Sequence, residues 1–153
     1  MRAPTTSMVE SQLRALMLGL FVIGLAGVAA ELLALQHYED PWQFVPFAVI
    51  VAALVTAVWQ VVAGSAASVR TMRGVALVML VTGALGIVLH YRGNMGFQLD
   101  VNPDLHGWRL FLKILHAQAP PALAPGVMAQ LGLLGLVYCF RHPLLMSRTV
   151  KGD

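Results

Sequence analysis

An all-α membrane protein is the fold class this sequence predicts: four transmembrane helices in an up-down bundle, with an amphipathic interfacial helix between spans three and four. Three observations carry the prediction. Of 153 residues, 58% are hydrophobic and only 11% charged, against roughly 25% charged in soluble domains. A soluble core of this size cannot hide so much apolar surface. Apolar runs near the roughly 20 residues that a bilayer demands recur four times along a single domain, 1–153. Between them lies one long stretch that hydrocarbon would reject, 90–121, which carries three of the five histidines.

The first span is expected at about 13–36, apolar but for Arg14 and Glu31. A cleaved secretory signal is the rival reading. The apolar run outlasts a typical signal core of about 7–15 residues and resumes after Glu31, so it reads as a retained span. The polar turn 37–43 follows, with Asp40 as a candidate N-cap, Pro41 at the first helical position, and Tyr38 and Trp42 suited to the water interface. The second span, about 44–63, has Pro46 in its first turn, where no helical hydrogen bond is lost. A second polar turn, 64–74, carries Arg70 and Arg73. The third span, about 72–91, is the weakest, because its apolar stretch is short. The fourth, about 122–140, again has a proline, Pro125, in its first turn.

Charge sets the expected orientation. Arg2, Arg14, Arg70, Arg73, Arg141, Arg148 and Lys151 fall on one side, and Arg92, Arg109 and Lys113 on the other, with Glu39, Asp40, Asp100 and Asp104. The positive-inside rule then places both termini in the cytoplasm, and 37–43 and 90–121 outside. The net charge of +3 is scattered without a clustered basic face, which argues against nucleic acid as a partner. The expected partners are the lipid bilayer and a protein within the membrane or on the outer face. Cys139 is the single cysteine; no disulfide within the chain can form, and in an apolar run it reads as a small core or lipid-facing residue, with reversible acylation the alternative.

Small residues at tight spacing (Gly24/Gly27, Gly83/Gly86, Gly132/Gly135, and Ala48/Ala52 with Ala53/Ala57) predict packing seams, since close backbone approach supplies much of the attraction between helices in lipid. Glu31 stands about 9 Å from His37 along a helix, and Thr82 and Gln130 each about 12 Å from their outer ends. Three helices thus place a polar group at similar depth. A carboxylate there costs roughly 2.5 kcal/mol unless protonated, paired or wetted, so Glu31 is expected to face the bundle interior as a structural hydrogen bond or a proton or cation site.

Within the outer segment, 93–98 reads as an irregular turn with two glycines. A helix at about 104–117 is expected after Asn102-Pro103, capped by Asp104. Leu105, Trp108, Leu112 and Leu115 form an apolar stripe beside Phe111; His106, Arg109, Lys113 and His116 form a polar one. This is the pattern of an interfacial helix, with Arg109 and Lys113 able to attract anionic headgroups. Either it lies on lipid or it caps the bundle's mouth.

His37 and His90 each end an outward-running span and each precedes a tyrosine. With His106, His116 and nearby carboxylates, they are the candidate ligands for a metal ion, and two of them could clasp a haem. No diagnostic metal or haem spacing accompanies them, so no cofactor is predicted. Nucleophile-elbow, phosphate-loop and nucleotide fingerprints are missing too, and the chain leans away from enzymes.

Two strings, Glu31…His37-Tyr38-Glu39-Asp40-Pro41-Trp42-Gln43…Pro46 and Leu89-His90-Tyr91-Arg92-Gly93-Asn94 continuing to Leu123-Ala124-Pro125-Gly126 and Leu131-Gly132-Leu133-Leu134-Gly135, together resemble a group of small, uncharacterised bacterial four-span integral membrane proteins. The resemblance spans most of the chain, implies a bacterial inner membrane, and carries over no site residue. The leading functional expectation is a non-enzymatic accessory or scaffold subunit presenting an outer loop and helix to a partner or lipid. The alternative is a metal-binding or proton-handling protein with a site in the outer half of the bundle around Glu31, His37 and His90, with Thr82 and Gln130.

Overall fold

The first helix, α1 (Thr6–Ala34), runs without a break because nothing in it interrupts the hydrogen-bond ladder: no proline falls between its ends. In the computed structural model, which describes residues 6–116 and 123–146, the protein is all-helical, with no strand among those residues. α1 stops in a Schellman turn. His37 N–H donates to the Leu32 carbonyl and Gln36 N–H to that of Leu33, with Gln36 left-handed at φ 52°. A 3₁₀ turn, Pro41–Gln43, leads into α2 (Phe44–Ala63), and the Gln43 side-chain oxygen accepts from the Glu39 and Asp40 amides.

Gly64, left-handed at φ 50°, ends α2, and Ser65 starts α3 (Ala66–Val101) through a reciprocal cap with Ser68. The chain therefore reverses in two residues, and the expected 64–74 turn is largely the first turns of α3, Arg70 and Arg73 included. A larger correction lies at the other end. α3 is 36 residues long, about 54 Å, and passes straight through 93–98. Gly93 and Gly96 do not break it, because a glycine in a helix costs only about 1 kcal/mol while every amide still finds its partner. The helix stops where it must: Asn102 precedes Pro103, and the residue before a proline is pushed out of helical conformation. The segment expected to be weakest is thus the longest helix.

α4 (Gly107–Leu115) is shorter than expected and is not capped by Asp104. Its N-cap is the extended His106, and Gly107 at φ 58° turns the chain into it. α5 (Leu123–Cys139) follows, then a short α6 (Pro143–Met146). Residues 117–122, where the outer helix was expected to end and the fourth span to begin, lie outside the described residues. So do Arg2, Arg148 and Lys151 of the charge count.

Among the described residues three helices are long and apolar enough to cross a membrane, Met8–Ala34, Pro41–Ala63 and Ala66–Val101, which makes this a membrane protein; Leu123–Cys139 is a shorter apolar helix. α1 touches α2 and α5, and α3 touches the same two, with α3 against α5 the most extensive contact. That contact is a glycine seam. A Cβ on Gly83 would stand 2.6 Å from the Ala129 nitrogen and the Pro125 oxygen, and one on Gly132 would stand 2.7 Å from the Leu80 nitrogen. Gly86 and Gly135 extend it against Pro125 and Ala76. Gly24 approaches Leu131, whereas Gly27 faces open space. On α2 it is Ala53 and Ala57 that are buried, not Ala48.

Below the seam, the core is Phe21, Leu25, Ile50, Val69, Met72 and Met79. Beyond it the end that the charge count expects to be inner is tied by polar groups. Arg14 reaches across to the end of α5, donating to the carbonyls of Tyr138 (2.6 Å), Arg141 (3.3 Å) and Phe140 (3.4 Å). These are carbonyls that a helix end leaves without intrahelical donors. Ser68 donates to the Gln60 side chain, which also meets the Tyr138 hydroxyl, and the Cys139 thiol points at the Val69 carbonyl.

Candidate functional site

The half of the bundle next to residues 37–43, the outer half of the expected orientation, holds a partly open cavity of about 760 Å³. Val28 and Leu32 of α1, Leu85 and Leu89 of α3, and Met128 of α5 supply apolar wall. The Schellman turn and the 3₁₀ turn bring His37, Trp42 and Gln43 over one end. On α3 the lining runs from Thr82 to Asn94, twelve residues or about 18 Å of helix. No Lys, Arg, Asp or Glu lines the cavity among the described residues.

His37 and His90 come together here. Their rings stack with centroids 6.0 Å apart and 24° between planes. The rest of the expected set does not join them. Glu31 and Gln130 are exposed, and only Thr82 of the expected polar layer is half-buried against the cavity. The expectation that Glu31 faces the bundle interior is therefore wrong. The inward stripe of α1 is Phe21, Leu25, Val28 and Leu32, and Glu31 lies about 100° round the helix from Leu32. Equal depth does not imply equal azimuth.

The other two histidines belong to α4. The ring Nδ1 of His106 bonds the Asp104 carbonyl at 2.7 Å, and that of His116 the Leu112 carbonyl at 2.8 Å. They sit at opposite ends of a helix, ten residues or about 15 Å apart, so they cannot share one ion. Among the described residues no group of three or more His, Cys, Asp or Glu side chains converges as metal ligands. Of the four candidate metal-ligating histidines, the structure joins only His37 and His90.

α4 packs back on α3. Ile114 is fully buried, and Phe111 meets Tyr91 with ring centroids 6.4 Å apart. Trp108 stacks on Phe111 at 5.0 Å yet remains 68% exposed, with Leu112 and Leu115 exposed on the same stripe. Arg109, Lys113 and His116 line a shallow depression beside them. The helix thus has two apolar faces, one spent on the protein and one open.

At the opposite end of the molecule, burial and then the neighbouring Arg14 charge hold the His142 imidazole below its ordinary value of 6.5. Its ring lies 5.3 Å from that of Tyr138. The sequence reading passed over this inner cluster. Gln60 and Ser68 stand four residues before and after Gly64, symmetrical about a two-residue reversal, and that symmetry was the available signal. No family model, curated protein or solved structure matches the chain.

Proposed function

We propose that this is a non-enzymatic accessory or scaffold protein of the bacterial inner membrane that docks an outer helical hairpin on the lipid headgroup layer. In this reading α5 is the fourth span of an up-down bundle, its 17 residues sitting at the lower limit of about 17–25 for crossing. Both termini are cytoplasmic. The basic residues 14, 70, 73 and 141 gather at one end of the helices, and the ends joined by residues 37–43 carry acidic Glu39 and Asp40. The outer third of α3 and the returning α4 form the hairpin.

One observation carries the docking: α4 is anchored to α3 by its Ile114 face and leaves Trp108, Leu112 and Leu115 open beside Arg109 and Lys113. Apolar residues flanked by cations are what an interfacial helix needs to sink among anionic headgroups. The experiment is fluorescence of a single-tryptophan protein (Trp42→Phe with Trp59→Phe) in bilayers of brominated anionic lipid. Strong quenching of Trp108, weakened by Arg109→Gln with Lys113→Gln, is expected. An unquenched Trp108 overturns the docking. Orientation is read separately in a Cys139→Ser background. Phe97→Cys should react with an impermeant maleimide on intact cells, and Arg73→Cys should react only after lysis.

A further inference from the structure

The cavity of about 760 Å³ lies within the volume range of small-molecule sites, roughly 300–1,000 Å³. Its walls are apolar over most of its length, and such a space does not hold water, which needs two to four polar partners. Leu85 and Leu89 line it while remaining 57% and 66% exposed. It is therefore open sideways between the helices, on a part of the chain long and apolar enough to lie in a bilayer. An apolar chain can enter it from the membrane.

Apart from Thr82, its polar lining groups collect at one end, Asn94 among them. There, His37 and His90 face each other beside Gln43. The Gln43 side-chain oxygen is occupied by the Glu39 and Asp40 amides, so its amide group is left to donate. Each neutral imidazole adds a donor and an acceptor. A head bearing acceptor oxygens matches these donors. A charged head does not: among the described residues no Arg, Lys, Asp or Glu lines the cavity, and Glu39 and Asp40 in the adjoining turn oppose an anion.

We infer that the outer cavity binds a membrane-dissolved amphiphile with a hydrocarbon chain along α3 and an uncharged, oxygen-bearing head of the alcohol, ester or quinone class at the ring edges of His37 and His90 and the Gln43 amide. This site is separate from the exposed face of α4 and stands whether or not that face docks on lipid.

The test is photolabelling of the full-length, detergent-purified protein with a diazirine-bearing long-chain alcohol, followed by peptide mapping. Labelling is expected to saturate and to fall in 37–46 and 82–94. Hexadecanol should compete about tenfold better than hexadecane or hexadecyl phosphate, the margin of one or two hydrogen bonds. Gly93→Leu should abolish saturable labelling. A Cβ at Gly93 meets nothing within 4 Å, so the helix accepts it while the side chain fills the cavity; Thr82→Leu is the second blocking variant. Unchanged Cys139 reactivity certifies that both are folded. His37→Ala with His90→Ala should reduce hexadecanol to the level of hexadecane. Label spread over the outward residues Leu16, Leu20 and Ile23, or labelling indifferent to both blocking variants, overturns the site. Equal competition by hexadecane, or better competition by hexadecyl phosphate, overturns the uncharged oxygen-bearing head.

A quinone-type or ester competitor outdoing hexadecanol would support the assignment and narrow it to that member of the class. Stoichiometric metal retained by the wild-type protein and lost in the histidine variants would overturn it in favour of an ion.

Discussion

Adding one methyl group at Gly83 should separate α3 from α5. The Cβ of Gly83→Ala would lie 2.6 Å from two backbone atoms, about 0.8 Å inside the 3.4 Å at which ordinary contact begins. Neither atom is a flexible side-chain end, so the helices themselves must move. Overpacking costs about 1–3 kcal/mol, and two unyielding backbone contacts put this case in the upper part of that range, about 2–3 kcal/mol, offset by about 1 kcal/mol of improved helix propensity. The net expectation is a loss of about 1–2 kcal/mol, or roughly tenfold in the population of opened protein. Gly132→Ala should behave alike, since its Cβ meets backbone at 2.7 and 2.8 Å.

Gly27→Ala is the control, as nothing stands within 4 Å of that position; there only the propensity gain remains. The assay is built in. Cys139, the single cysteine, is buried at the inner end of the α3–α5 contact and points at the Val69 carbonyl. Its rate of alkylation in mild detergent reports opening of the seam. Gly83→Ala should raise that rate about tenfold and Gly27→Ala should leave it unchanged or slower. If the two variants label alike, close backbone approach is not what holds α3 to α5.

Arg14→Gln removes the charged donors at the end of α5 and should cost about 1–3 kcal/mol, seen as a lower melting midpoint in detergent, with Arg14→Lys restoring part of it. The depressed His142 value fixes a sign: stability is full above about pH 6.5 and falls as pH drops toward the lower folded value, because the unfolded chain takes up the proton first. Melting at about pH 7.5 and 5.5 should show that drop in the wild type and a smaller one in His142→Gln. Gln36→Gly relieves a left-handed non-glycine residue at the end of α1 and should raise stability by about 1 kcal/mol, whereas Gln36→Val should lower it.

The sequence made the helical class, three long apolar helices, the α3–α5 glycine seam and the early prolines legible, because each depends on local rules. Spanning length is a count, a small residue's bulk is known in advance, and Pro46 and Pro125 fall where a helix has no bond to lose. Azimuth was not legible. From Leu13 onward α1 is apolar on every side apart from Arg14 and Glu31, so no periodicity marks its inward face, and only the neighbours' positions reveal Phe21, Leu25, Val28 and Leu32 as that face. Glu31 was misassigned for this reason. The reading of 93–98 failed differently: glycine was weighed as a breaker although the nearest proline lies beyond Val101. The pairing of His37 with His90 was visible as a possibility, since both were expected to end outward-running spans; His90 instead lies inside α3, and their contact required the turn after α1 to be known.

That turn explains why the two ends of the molecule differ. At the inner end, α2 and α3 are joined by a two-residue reversal, and Gln60, Ser68, Tyr138 and Arg14 tie the helices together. At the outer end, α1 and α2 are separated by the stretch from Leu35 to Gln43, whose amides are satisfied locally by Leu32, Leu33 and Gln43 and not by a neighbouring helix. Nothing there draws α1 against α2 as the seam draws α3 against α5, and Pro125 holds the end of α5 against Gly86. A gap at this end therefore follows from the connections alone. Were it only a packing shortfall, its lining would be uniformly apolar; instead His37, Gln43 and His90 stand at one end of it with donors to offer. Filling the gap with Gly93→Leu separates the two accounts. A mere defect gains stability and loses nothing, while a binding site gains stability and loses its ligand.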